Sequence, residues 1–243
     1  MTERDERSAA EPGGGAAPAE AYRPLPLPDR IALPPEASLA AARAFRDSMR
    51  RRHSVREFAP DPVASEVIEA AVAAAGLAPS GANQQPWHFV AIADPGAKAR
   101  LREAAEAEER AFYAGGGGDA WLRALEPIGT GAEKPHLTEA PWLIAIFAQR
   151  YGLAPDGSRS KHYYVPESVG IATGFLIAAL HAAGLSCLTH TPNPMKFLNG
   201  LCGRPEAEKP VMILAVGVAA EGATVPAAAK HKKPLDEILT VLG

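Results

Sequence analysis

Ala78-Pro79-Ser80-Gly81-Ala82-Asn83-Gln84-Gln85-Pro86-Trp87 separates an Ala-rich helical stretch from the apolar run His88 to Ala93. Two prolines and a glycine prevent a continuing helix, so the polar groups of this loop need partners in a ligand, in water or in local turns. The loop reads either as the floor of a ligand site or as an ordinary helix-to-strand connection.

Upstream, Ser65 to Gly76 has Val67, Ile68, Ala71, Val72 and Ala75 on one face, which predicts a helix with Ser65 as N-cap and Gly76 as the residue after its end. An earlier helix is expected over Ser38 to Arg52, with apolar Leu39, Phe45 and Met49 and a cationic last turn. Its end, Arg50-Arg51-Arg52-His53-Ser54-Val55-Arg56, is either a solvated face with a helix cap or a phosphate grip, since guanidinium forks and a hydroxyl suit phosphate oxygens. Residues 1–36 hold seven of the 23 prolines, few large apolar groups and no period, and are expected to form a disordered arm. Residues 37–243 are expected to fold as one unit.

Downstream, Asp94-Pro95-Gly96 ends the first strand, and a third helix is expected over Ala97 to Ala114, broken by Gly115 to Gly118. No period is evident from there to Pro141. Trp142 to Ala148 and Val211 to Val218 are continuous apolar runs of strand length, and Leu185 to Thr191 is a shorter one. Tyr151 to Lys161 reads as a loop. Pro166 to Ala183 is a nearly all-apolar helix, placed either at the centre of the domain or at a dimer interface. A short helix is expected near Met195 to Cys202, and another over Pro234 to Val241 in the lysine-bearing tail. Helices interleaved with about four strands predict an α/β-type layered domain.

A net charge of −3 gives no general reason to bind nucleic acid or an anionic membrane. The two cysteines, Cys187 and Cys202, lack metal-ligand spacing and read as reduced core thiols. The seven histidines form no metal motif, and neither a dinucleotide fingerprint nor a nucleophile elbow is present. Met1 to Ala10 is polar and charged, unlike a signal peptide, and the apolar run Gly170 to Ala183 is shorter than the roughly 20 residues a span needs, so a soluble, cytoplasmic protein is expected.

Three stretches carry a resemblance: Arg52-His53-Ser54-Val55-Arg56, Ala78 to Trp87, and Gly184-Leu185 to Thr189-His190-Thr191-Pro192. With His162-Tyr163-Tyr164, Gly203-Arg204-Pro205, Glu208-Lys209 and Ala223-Thr224-Val225-Pro226, the chain resembles the flavin-dependent nitroreductase superfamily, and within it the reductive dehalogenases of halotyrosines. The resemblance implies an α+β fold with a mixed sheet flanked by helices. It also implies an FMN-binding homodimer with a C-terminal segment (about residues 219–243) exchanged between subunits and two active sites at their interface. Arg52, His53, Ser54 and Arg56 would hold the flavin phosphate and ring edge, Ser80, Gly81, Thr189 and His190 would line the flavin, and Lys232 or a neighbour would reach it from the tail. The Thr191 hydroxyl would bond flavin N5 and favour one-electron chemistry; its alternative is to cap the helix that follows.

The same resemblance implies a lid over residues 107–139. Glu109 and Tyr113 stand one turn apart on a helix and face the same way, and Lys134 follows before Pro141. Glu109 would pair with a substrate ammonium, Lys134 with its carboxylate, and Tyr113 would donate a hydrogen bond. The alternative is an exposed charged helix with an unrelated lysine. The Ala82 amide would meet the phenolate. Gly115 to Gly118 would make a helical closed lid costlier, by about 0.5 to 1 kcal/mol per glycine. The electron donor would be NAD(P)H or a reductase or ferredoxin.

Overall fold

The computed structural model describes residues 22–153 and 157–243. Most of the arm expected over residues 1–36 therefore lies outside the described residues. Residues 43–243 form one compact unit. The first helix, α1 (Pro35–Arg50), starts at a proline, whose missing N–H and fixed φ suit a first helical position, and none of α1 is buried.

Four strands build the sheet: β1 (Trp87–Ile92), β2 (Trp142–Gln149), β5 (Ser186–His190) and β6 (Glu208–Gly217), in the order β1-β2-β6-β5 and antiparallel at each pairing. A parallel bridge between Ser54 and Cys187 lays the Arg-rich stretch along the outer edge of β5 and gives the sheet its mixed character. Strand alternation explains why β2 and β6 read as unbroken apolar runs. Leu143, Ala145 and Phe147 point to one face, where they pack with Leu101, Leu137 and Leu198. Ile144, Ile146 and Ala148 point to the other, against Ile68, Ala75, Leu176 and Leu180. Both faces are covered by helices, so neither has a polar set. Each fully buried Leu, Ile or Phe stabilises by about 1.5 to 3 kcal/mol, so these two layers hold the strand ends that carry the site.

The helices are α2 (Ser65–Gly76) and α6 (Val165–Ala182) on one face, and α3 (Pro95–Ala111), α5 (His136–Glu139) and α7 (Phe197–Leu201) on the other, with α4 (Asp119–Leu125) in the connection after α3. The N-cap of α2 is Ala64 rather than Ser65, and Leu77 rather than Gly76 ends it. The Ser65 hydroxyl instead faces the Glu66 carboxylate at 3.3 Å. Asp94 caps α3, its carboxylate accepting the Ala97 amide at 2.6 Å. At 18 residues α6 has the expected length, one position earlier in the chain; it is apolar enough to cross a membrane by length and composition, but Ala172, Leu176 and Leu180 are fully buried in the core. The stripe Gly170, Ile171, Gly174 and Phe175 stays exposed.

Two expectations are corrected. The loop expected over Tyr151 to Lys161 contains a hairpin, β3 (Tyr151–Leu153) with β4 (Arg159–Lys161), whose short, exposed second strand has no hydrophobic alternation to announce it. The helix expected over Pro234 to Val241 is only a 3₁₀ turn, Leu235–Glu237; with Leu235, Ile238, Leu239 and Val241 exposed, no packing supports so short a helix. The break expected at Gly115 to Gly118 is found: α3 passes into a π-type turn, Phe112–Gly116, and Gly115 and Gly118 have φ of 124° and 72°. Glycine takes such angles freely, so here it permits the turn rather than weakening a helix. Cys187 is buried, Cys202 is half-buried, and both are free thiols.

Candidate active site

The end of β5, the last turn of α3 and the segment leading into α5 converge on one cavity of about 770 Å³. Arg56, Glu109, Tyr113, Lys134, Thr189, His190 and Thr191 all line it, although they are spread over 136 sequence positions. The exposed charged helix with an unrelated lysine is not what forms. Lys134 Nζ stands 3.2 Å from the Glu109 carboxylate, their side chains 5% and 12% exposed. Lys134 also donates to Thr130 Oγ1 at 3.1 Å, and the Tyr113 hydroxyl donates to the Thr130 carbonyl at 3.1 Å. The ammonium lies 5.7 Å from the Tyr113 ring centre, within cation–π range. Phe112, Trp121 and Ile128 complete the wall. Thr130 had no signal in the sequence, since it sits in an aperiodic Gly-Thr-Gly stretch and contributes partly through its backbone.

The basic cluster divides in two. Arg46 and Arg50 on α1 pair with Asp47, and Arg51 donates to the Asp47 carbonyl. Arg52, His53 and Arg56 make no side-chain hydrogen bond or ion pair among the described residues. Burial weakens the protonated form of Arg56, yet no carboxylate offsets it. Guanidinium groups without a side-chain partner on either side of Ser54, which is bridged to β5, fit an anion, phosphate above all. Thr191 is exposed at the cavity and does not cap α7, whose N-cap is Lys196 without a side-chain cap bond.

Some predicted residues lie elsewhere. Arg52, His53 and Ser54 lie beside β5 but do not line this cavity, nor do Ser80, Gly81, Ala82 and Lys232. The loop that carries Ser80 to Ala82 is nevertheless tightly built. Ala82, Asn83 and Gln85 all have positive φ, near 50°, which costs on the order of 1–3 kcal/mol per residue unless the surroundings impose it. Here they do: Ser80 Oγ accepts the Gln85 amide at 2.9 Å, and the Gln84 side chain donates to the Lys161 carbonyl at 3.0 Å and accepts the Tyr163 amide at 2.7 Å. Any side chain on Gly81 would meet the Tyr163 carbonyl at 2.7 Å.

Beside the Glu109–Lys134 pair lie two buried histidines. The rings of His136 and His190 meet edge to face at 5.6 Å, and neither Nε2 has a hydrogen-bond partner. Burial, then the cations Lys134, Arg56 and Arg102, push His136 down to about 4; Glu106 opposes them. Burial, then His136 and Lys134, push His190 down to about 3. Glu109, 4.0 Å from His190 Nδ1, is beyond hydrogen-bond reach. The unfolded chain protonates both rings near pH 6.5 while the folded chain keeps them neutral, so stability is expected to fall as pH drops below about 6.5. His136→Phe should flatten that decline. Urea unfolding at pH 7 and pH 5 measures it, and an identical pH dependence in both proteins would count against a neutral buried pair.

A mixed sheet covered on both faces by helices, with the Arg-rich stretch bridged to the strand that ends in Thr-His-Thr, is a nitroreductase-type fold. The chain belongs to the nitroreductase family, whose model matches residues 49–218. It is 50% identical to the iodotyrosine deiodinase of Haliscomenobacter hydrossis, over 79% of this chain and 86% of that one. It is 40% identical to iodotyrosine deiodinase 1 of Homo sapiens, over 86% and 72% of the two chains. A crystal structure of an iodotyrosine deiodinase bound to FMN and 3-iodo-L-tyrosine superposes with a TM-score of 0.67 at 29% identity, covering 82% of this chain and 98% of that one.

Proposed function

We propose that the protein is an FMN-dependent reductive dehalogenase of halotyrosines that converts 3-iodo-L-tyrosine to tyrosine and iodide. The observation that carries this reading is the buried Glu109–Lys134 pair beside Tyr113. A plain nitro or quinone reductase has no use for such a pair, whereas an amino-acid zwitterion matches it charge for charge. The names of the relatives, and the two ligands of the matched crystal structure, support the same substrate and cofactor.

In the net reaction the carbon–iodine bond gives way to carbon–hydrogen, two electrons and a proton enter, and iodide leaves. FMN, when bound and reduced, supplies the electrons. The chain's own residues bind and orient. Arg52, Ser54 and Arg56, with His53, would hold the phosphate and ring edge, and Thr189, His190, Ser80 and Gly81 would line the flavin. The Thr191 hydroxyl, which lines the cavity, would be the donor to the flavin at N5. Glu109 releases Lys134 to take the substrate ammonium, Lys134 takes the carboxylate, and Tyr113 adds its hydroxyl, so no charge is left unpaired. The Ala82 amide, in the loop held at positive φ, would meet the phenolate. The lid around Phe112 and Trp121 excludes water.

The working unit is a homodimer. Ser80 to Ala82 and Lys232 miss the cavity within one chain, so a second copy supplies them. The exposed stripe of α6 and the apolar side chains of the tail give that copy a surface to cover, with residues 219–243 crossing between subunits.

With FMN and dithionite, the protein is expected to release iodide and tyrosine in equal amounts from 3-iodo-L-tyrosine. Reduction of a nitroaromatic with no iodide release from iodotyrosine would overturn the assignment.

A further inference from the structure

Glu106 stands one turn before Glu109 on α3, faces inward with it, and is 8% exposed. Its Oε1 accepts the backbone amide of Lys134 at 2.7 Å and the Arg102 guanidinium at 2.6 Å. Arg102 reaches on to Thr138 Oγ1 at 3.0 Å and lies 3.8 Å from Glu133, while Arg110 lies 3.9 Å from the other Glu106 oxygen. Burial alone would raise the Glu106 carboxyl, but the Lys134 amide and the arginines outweigh it and hold it below the usual range, so it stays an acceptor. Lys98 is spent elsewhere, on the Ala140 carbonyl at 2.7 Å.

We propose that Glu106 is the positioning residue of the ammonio-carboxylate clamp. By accepting the Lys134 amide it fixes where that side chain starts, so Glu109, Tyr113 and Lys134 meet the substrate as one preset unit. This rests on reading those three residues as the clamp. The Lys134 side chain is held by Glu109 and Thr130; once the substrate ammonium takes Glu109, the backbone anchor is the fastening that remains on α3. A buried ion pair is a poor stabiliser compared with an apolar group of similar volume. An apolar group, however, gives the Lys134 amide no acceptor and leaves the segment from Thr130 to Thr138 without its central tie.

The test is ligand binding to FMN-loaded enzyme, followed by flavin fluorescence, for Glu106→Ala and Glu106→Gln. The two probes are 3-iodo-L-tyrosine and 2-iodophenol, which has the ring and halogen but no ammonio-carboxylate. Loss of a buried charged acceptor predicts an iodotyrosine Kd about tenfold to a hundredfold weaker in Glu106→Ala, with 2-iodophenol and FMN affinities within about twofold. Glu106→Gln keeps the volume and an oxygen for the Lys134 amide. It should weaken iodotyrosine by about threefold to tenfold with the same selectivity, and it decides the matter if the alanine variant does not fold. Unchanged iodotyrosine binding in either folded variant, or equal weakening of both probes, would overturn the assignment. If Lys134→Ala weakens iodotyrosine and the Glu106 variants do not, only this inference fails. If Lys134→Ala also leaves it unchanged, the clamp reading falls and this assignment with it.

Discussion

Lys134→Ala is expected to lower kcat/KM for 3-iodo-L-tyrosine by more than about a hundredfold, while nitroaromatic reduction stays within about threefold of the parent. The Lys134 and Glu109 side chains are 5% and 12% exposed and 3.2 Å apart. Breaking such a pair from one side costs about 3–5 kcal/mol, because the remaining charge is left buried without a partner. The loss in kcat/KM comes from the bound substrate, whose carboxylate is left uncompensated; the uncompensated Glu109 of the free enzyme lowers stability instead. A nitroaromatic has neither an ammonium nor a carboxylate, and reaches the flavin without the clamp. Steady-state kinetics on both substrates separates the cases, and equal loss of both activities would assign Lys134 a structural role instead.

Arg56→Ala should weaken FMN binding about tenfold to a hundredfold, the worth of one charge-assisted hydrogen bond of about 1.5–3 kcal/mol. Arg56 lines the cavity and has no carboxylate partner among the described residues, so its charge is available to a phosphate. Arg46, spent on Asp47 at 2.9 Å on an exposed helix, is the matched control, and its alanine variant should bind FMN normally. Arg56→Lys should recover only part of the loss, since an ammonium lacks the fork that grips two oxygens. Fluorescence titration of apoprotein with FMN reads these affinities; an unchanged Kd in Arg56→Ala would remove the residue from the phosphate site.

The contrast between Arg46 and Arg56 illustrates what was legible in the sequence and what was not. The basic run was visible, but which arginines were already paired depends on Asp47 lying on the same helix face and on β5 lying beside Ser54. The four main strands were readable from their apolar runs because both sheet faces are covered. The β3–β4 hairpin was not, being short, polar and exposed. Of the clamp, Glu109 and Tyr113 shared a visible turn of helix. Lys134 had only the resemblance to place it, because the segment around it is held by Thr130, Glu106 and Arg102 rather than by any period of its own. Glu106 itself was a missed signal: a carboxylate one turn before Glu109 on the inward face of α3 needs a buried partner. The tail misled for the opposite reason. Its spacing suits a helix, but helices of that length form only against a surface, and within one chain residues 234–241 have none.

Anaerobic mixing of the FMN-loaded, fully reduced protein with one equivalent of 3-iodo-L-tyrosine tests the central claim most directly, with flavin absorbance and iodide followed together. The flavin is expected to reoxidise as one iodide and one tyrosine are released per flavin. Flavin that stays reduced with iodotyrosine intact, yet reoxidises at once with a nitroaromatic, would contradict it.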